Sequence, residues 1–543
     1  MWYGKDVCYA RTHANESEAP VIEIAFRPMV TARSIQRTLL VLLMLSGVVL
    51  FTLSSDPAEA ATTFTVTETG DEADIDINDN RCDTDSAAGR QCTLRAAIEE
   101  ANDTNGSDTI DFDIGGTGAA KTISVVDALP TIDEAVTIDG YTQDGASPNT
   151  LDKGNDAVLN VMLGGLDAGA NVDGLVVRAP DCTIRGLVIK NFDGLGMQIL
   201  GAGSTGNRIE GNFIGVNRDG VTDRGNVGGV FVESDSNTIG GTEPESRNVI
   251  SGNDDNGTFV GVGGDENRYE GNYIGTTADG TDTLGNTGNG VLIGGARNTI
   301  GGREAGAGNV ISGNGENGVA FDISAAIENR VEGNFIGTAA DGRGDLGNTA
   351  DGVSVQLGAR LTAVGGTRSG VPNRIAHNGG DGVSVVGNGT VGTNILSNRI
   401  FDNDELGIDL EGGTEDADGV TDNDQGDADT GPNNLQNFPT VITARRSLST
   451  GITTITGRLD RDPAQDYVVQ CFLTDGSLTS AHGEGSRFLD TYPISAGSGA
   501  RFSCETRSLL VQQPGQTVTA TATNVATGDT SEFSKNRAIV TGP

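Results

Sequence analysis

The chain has 543 residues, 75 of them acidic and 35 basic, for a formal net charge of −40. Such a balance repels phosphate backbones and anionic lipid surfaces, so nucleic acid is not an expected partner. Hydrophobic residues are 36% of the chain, enough for real cores, while aromatics at 4% and 81 glycines suit a turn-rich, repetitive β protein.

Residues 1–28 contain Cys8 and His13 without apolar periodicity, and Met29 is the expected start, with the preceding stretch an upstream extension. Arg33 and Arg37 then form a basic region, Leu39 to Leu53 an apolar run, and Ala58-Glu59-Ala60 a small-residue cleavage site, together a secretory signal over 29–60. The run is short for a bilayer span. Cleavage after Ala60 is expected to leave a secreted or envelope-associated chain that is not an integral membrane protein. In an oxidising compartment Cys82 with Cys92 and Cys471 with Cys504 are the natural local disulfides, which leaves Cys182 over. Cysteine spacing does not match zinc ligand patterns, and the chain has only three histidines.

From 61 to 104 the sequence reads as an entry cap. Phe64-Thr-Val-Thr67 is strand-like, and Leu94, Ala97, Ile98 and Ala101 fall on one face of a short helix. Cys92-Thr-Leu-Arg-Ala-Ala97 resembles the CSLREA-type segment found near the start of many secreted bacterial β-helix proteins, with Ala96 where the family pattern has an acidic residue. Ile110 to Ile114, Thr122 to Val125 and Val136 to Gly140 read as the first strands of a solenoid.

Internal repetition dominates residues 105–412. Asn207-Arg-Ile-Glu-Gly-Asn-Phe-Ile-Gly215 returns as Asn267-Arg-Tyr-Glu-Gly-Asn-Tyr-Ile-Gly275 and as Asn329-Arg-Val-Glu-Gly-Asn-Phe-Ile-Gly337, offsets of roughly sixty residues that signal a repeat architecture. Between these copies Asn237-Thr-Ile-Gly-Gly and Asn248-Val-Ile-Ser-Gly-Asn253 recur as Asn298-Thr-Ile-Gly-Gly and Asn309-Val-Ile-Ser-Gly-Asn314, so the unit is about two coils. The apolar runs, such as Gly229-Val-Phe-Val232, are too short for a sandwich. Three per coil, stacked in parallel, would bury Val, Ile and Phe in one interior column, with the recurrent Asn residues at the bends. The pattern resembles the right-handed parallel β-helix repeats of the pectin-lyase-like superfamily, which implies an all-β, three-faced solenoid. Residues 413–440 then form an Asp-rich linker. The alternating runs from 441 to 543 imply a C-terminal β-sandwich that looks like the immunoglobulin-like modules appended to secreted β-helices.

Chemistry is harder to place. Asp416, Asp418, Asp422, Asp424, Asp427 and Asp429 alternate through a Gly-containing loop, a spacing suited to a structural calcium ion and similar to the calcium loops of thrombospondin-type repeats. Three Asp-Gly loops, at Asp219, Asp279 and Asp341, would line one acidic side of the rod. Arg208, Arg268 and Arg330 each precede a Glu by two residues, as surface ion pairs would. Asp322 and Asp409 sit in strands, but the adjacent Asp-Asp and Gly-His of galacturonase-like hydrolases is missing. Because enzymes break their repeat at the active site, Arg374, His377 and Asp381, in the least regular coils, are the catalytic candidates. The expectation is a monomeric, non-catalytic protein that binds glycans or cell-surface partners. The alternative is an extracellular polysaccharide lyase or glycoside hydrolase.

Overall fold

The computed structural model describes residues 61–542, apart from 87, 88, 90, 117, 475–480 and 508–515. The signal sequence and everything before it lie outside these residues. Three parallel sheets of 11, 10 and 9 strands make up the body. One coil gives one strand to each sheet: Arg208–Glu210 lies in the first, Phe213–Ile214 in the second and Gly228–Val232 in the third, before Thr238–Gly240 returns to the first. Two such coils make the sixty-residue repeat. The result is a parallel β-helix.

Strands of two or three residues can stack this way because each places a branched apolar side chain inward. In the first sheet Ile184, Ile209, Ile239, Tyr269, Ile300 and Val331 follow one another in register. Residues Ile189, Ile214, Ile250, Ile274, Ile311 and Ile336 do the same in the second. All are fully buried, and β-branched side chains suit these pleated, tightly stacked positions.

The bends are held by buried asparagines. At the corner between the first and second sheets the backbone N–H of Asn212 donates to the side-chain oxygen of Asn248 (2.9 Å), that of Asn272 to Asn309 (2.9 Å), and that of Asn309 to Asn334 (3.0 Å). A second ladder, between the second and third sheets, runs Asn226, Asn253, Asn286, Asn314, Asn348, Asn378, Asn403. A third runs Asn207, Asn237, Asn267, Asn298, Asn329 ahead of the first sheet. Each amide satisfies an N–H at a bend where the backbone leaves the sheet ladder and would otherwise be buried unpaired.

Both ends of the column are covered. Thr63–Val66 pairs in parallel with Asp108–Phe112 as the outermost strand of the first sheet. Helix α1, Leu94–Asp103, buries Leu94, Ala97, Ile98 and Ala101 in the same core, and Thr93 caps it by accepting from the N–H of Ala96. Cys82 and Cys92 are joined by a disulfide.

At the other end two four-stranded sheets, mostly antiparallel, follow: Thr440–Ser447, Thr453–Arg458, Arg501–Thr506 and Val540–Gly542 in one, Tyr467–Leu473, Arg487–Ile494, Thr517–Asn524 and Arg537–Ala538 in the other. They share a core and are linked by the Cys471–Cys504 disulfide. This region packs directly on the last coil. Phe472 and Phe533 join the core of the rod. Glu484 accepts from the N–H of Asn403 (3.2 Å), Gln470 from Ser397 (2.9 Å), Asn433 from Thr393 (2.8 Å) and Glu532 from Leu410 (3.2 Å). The segment 413–440 is part of this contact, with Asn433, Leu435, Gln436 and Asn437 buried. It is therefore packed structure where the sequence suggests a linker, because the open strand edges of the last coil need partners.

Replacing Asn309 with Ala leaves a buried N–H without an acceptor and should cost about 1–3 kcal/mol. Thr299→Ala, on the outer surface of the first sheet, should change stability by about 0.5 kcal/mol at most. Chemical denaturation of both variants checks the difference.

Candidate functional site

The three outer faces of the rod differ. On the first sheet, Arg208 pairs with Glu210 at 2.7 Å, Arg268 with Glu270 at 2.5 Å and Arg330 with Glu332 at 3.3 Å. These arginines are tied up in ion pairs. On the second sheet, Phe213, Val249, Tyr273 and Val310 point outward but are buried under the Asp-Gly loops, in a separate apolar cluster with Ala278 and Ala340. Asp341 spends its carboxylate on its own turn, accepting from the N–H groups of Arg343 (2.8 Å) and Gly344 (3.2 Å), which holds it below the usual carboxylate range. The loops are stacked turns, with Ala278 N–H donating to the Gly220 carbonyl and Ala340 N–H to Gly280.

The third sheet is exposed at Phe259 and half-buried at Gln198, Phe231, Leu292 and Asp409. Its middle positions, in register, are Gln198, Phe231, Phe259, Leu292, Ala320, Ser354, Ser384 and Asp409. In a three-residue strand the first and third side chains go inward, so Val230 and Val232 are buried and Phe231 faces out. This corrects the expectation that the Phe of that run belongs to the interior column. The Phe231 and Phe259 rings stack with centroids 5.1 Å apart, Phe259 is 37% exposed, and Val262 beside it is 65% exposed.

Alongside these strands runs a polar ladder. Asn256 accepts from the N–H of Asn289 (2.9 Å), Asn289 from Asn317 (3.2 Å), Asn317 from Asp351 (3.0 Å), Asp351 from Asp381 (2.9 Å) and Asp381 from Leu406 (2.7 Å). The ladder thus changes from amides to carboxyls toward the C-terminal end. There Ser384 donates its hydroxyl to Asp351 at 2.6 Å and lies 3.0 Å from the Ser354 hydroxyl. Burial, with the nearby Asp409 and Asp351, pushes Asp381 up to about 8. Asp409 is raised by burial and by Glu411 and Glu415, and Glu532 is raised by burial. The nearby Asp409 adds to the rise of Glu532.

Of the residues singled out from the sequence, Arg374 and His377 come together, but away from Asp381. Arg374 opens the second-sheet strand Arg374–Ala376; its guanidinium lies 5.8 Å from the Phe401 ring centroid and donates to the Gly342 carbonyl. His377 sits edge-on to the same ring at 5.9 Å, with a left-handed φ of 63° where the neighbouring coils have Gly252 and Gly313. Asp381 belongs to the third face with Asp351 and Leu406. The triad is not one constellation. His377→Gly should relieve about 1 kcal/mol of backbone strain and raise the denaturation midpoint.

The six aspartates of the acidic segment are also parted. Asp416 faces His482 (3.3 Å) and Lys535 (3.5 Å), Asp418 accepts from the Ala481 N–H (3.1 Å), and Asp422 is exposed. Asp424 and Asp427 both bond to Asn437, and burial pushes Asp427 up to about 6. Asp429 is raised by burial. Among the described residues no three His, Cys, Asp or Glu side chains gather as a metal would need. Backbone N–H groups and Asn437 have taken up oxygens that the spacing suggested for calcium.

The outward feature that sequence reasoning missed is the Phe231–Phe259 pair. Its signal was the middle position of each short run, legible only once three-residue strands are read with period two. No protein-family model, curated protein or solved structure matches the chain. No helix among the described residues is long and apolar enough to cross a membrane.

The raised carboxyls set a pH dependence. Asp381 and Glu484 are pushed up to about 8 and about 7, mainly by burial, so the folded chain holds protons that the unfolded chain has released. Their contribution is complete below about pH 4 and is lost as pH rises through 7 and 8. Thermal midpoints should fall steadily from pH 5 to pH 9, and Asp381→Asn should flatten that slope.

Proposed function

We propose that this protein is a secreted, monomeric polysaccharide-binding rod, released by cleavage after Ala60, that holds a glycan chain along the outer face of its third sheet. The fold we infer in full is a right-handed helix of the pectin-lyase-like type, with a CSLREA-like cap and an immunoglobulin-like C-terminal sandwich. The observation that carries the reading is the Phe231–Phe259 stack on the outer side of a parallel sheet, with Phe259 exposed, bordered by a row of amide and carboxyl groups. The C–H faces of sugar rings pack on aromatic faces, and the hydroxyls at their edges need donors and acceptors such as the half-buried Asn256 and Asn317. Beyond Leu292 the middle positions shrink to Ala320, Ser354 and Ser384, which are buried, so the contact surface centres on Phe231, Phe259 and Leu292.

A screen of neutral and uronate polysaccharides by affinity electrophoresis tests this. Phe231→Ala with Phe259→Ala should weaken binding roughly tenfold or more, about 1 kcal/mol per ring, without changing the thermal midpoint. Unaltered retention of the double variant would sink the proposal.

One observation favours a second reading, an extracellular glycoside hydrolase or lyase. Asp381 is held protonated near neutral pH beside Asp351 and Asp409, as a general acid must be. Release of reducing or unsaturated ends by the full chain, abolished in Asp381→Asn, would replace the binding reading with this one.

A further inference from the structure

The N-terminal cap holds a buried acid that the glycan-binding reading does not use. Glu100 lies in the middle of helix α1 and is fully buried, yet neither of its carboxyl oxygens receives a hydrogen-bond donor from the described residues. What it meets is another acid. Asp74 lies against it in the loop that precedes the helix, with Asp79 and Asp103 also acting on it. Burial, then these three carboxylates, push Glu100 up to about 8.

The loop is built to present oxygen atoms. Asp74, Asp76, Asn78 and Asn80 alternate with other residues, and Asp79 stands among them. The two oxygens of Asp74 each accept one N–H, from Asp76 (2.8 Å) and from Asp83 (2.8 Å), and each keeps a lone pair. Asp74 is in turn tied to the helix, its N–H donating to Glu99 at 2.8 Å. The Cys82–Cys92 disulfide closes the same loop onto the start of the helix. Loop and helix are thus fixed around two acids that face each other and share no donor. Two such carboxyls stay in contact only if a proton or a cation lies between them.

We propose that Glu100 and Asp74 bind a hard divalent cation of the calcium class, which clamps the 74–83 loop to helix α1 and locks the N-terminal cap on the rod. No trio of acidic, His or Cys side chains has already converged here, so the remaining ligands are Asn78, Asp79, main-chain carbonyls and water, all suitable for calcium. A site with two core carboxylates belongs with the weaker extracellular modules, with dissociation constants on the order of 10⁻⁴–10⁻³ M. The ion acts on folding of the cap and has no part in glycan contact.

The readout is local: the rate at which Cys82–Cys92 is reduced by dithiothreitol in the full chain, followed by alkylation and peptide mass spectrometry with and without calcium chloride. At a calcium concentration about ten times the dissociation constant, opening of the cap should be suppressed about tenfold, while Cys471–Cys504 serves as the internal control. Glu100→Gln removes the charge but can still donate to Asp74, so it should fold and lose the calcium protection. Asp79→Asn, on the exposed loop, should weaken protection without unfolding risk, and Asp418→Asn with Asp422→Asn should leave it intact. Absence of calcium protection in the unaltered chain, or equal protection in Glu100→Gln, overturns the site and leaves a shared proton between the two acids.

Discussion

The central coils of the rod depend on one contact repeated from bend to bend, a backbone N–H donating to the side-chain oxygen of an asparagine in the next coil. Strands of two or three residues offer too few backbone hydrogen bonds to fix their own register. The ladder through Asn226, Asn253, Asn286, Asn314, Asn348 and Asn378 does so for them, with N–H to oxygen distances of 3.1–3.4 Å. Because one coil is thereby superposed on the next, inward positions stack on inward positions. Outward positions stack as well, so a face such as Gln198, Phe231, Phe259, Leu292 becomes a continuous surface.

A ladder of this kind has two ends, and each leaves donors or acceptors without partners. At the C-terminal end the chain substitutes other side chains for the next asparagine: Glu484 takes the N–H and side-chain amide of Asn403, Gln470 takes Ser397, and Glu532 takes Leu410 and Thr421. An acid in an amide's place performs the same acceptance, but burial raises it, as for Glu484 and Glu532. The covered edge therefore carries a proton dependence that the amide ladders lack. The same substitution in the outer ladder, from Asn317 to Asp351 and Asp381, places titratable groups alongside the third sheet.

The sixty-residue offset of Asn207, Asn267 and Asn329 made the solenoid legible, since a recurrent asparagine beside a recurrent branched apolar residue marks a bend followed by an inward position in each coil. The pairing of Cys471 with Cys504, which lie on different sheets, could be read only as a local option. What could not be read was direction. Gly229-Val-Phe-Val232 looks uniformly apolar, and only the pleat separates Val230 and Val232 from Phe231. Nor could spacing reveal that Gln470, Glu484 and Glu532 would meet the coil at 397–410, contacts 73–122 residues apart in sequence. The neighbours of the acidic segment at 416–429 were hidden for the same reason. Its partners, His482, Lys535 and Asn437, are brought to it by the packing of the C-terminal sheets.

The composition of the third face follows from where the ladders leave freedom. Inward positions of that sheet stay apolar from Ile199 through Val232, Val260, Ile293, Phe321, Val355, Val385 and Leu410, because the column must be filled at every level. Asparagines cannot change without orphaning an N–H. The middle residue of each third-sheet strand touches neither constraint, and it is there that the sequence departs from repetition, from Gln198 through two phenylalanines to two serines and Asp409. A gradient from aromatic to small to acidic along one sheet therefore gives each level of the rod a different chemistry although the coils share their inward residues and their asparagines.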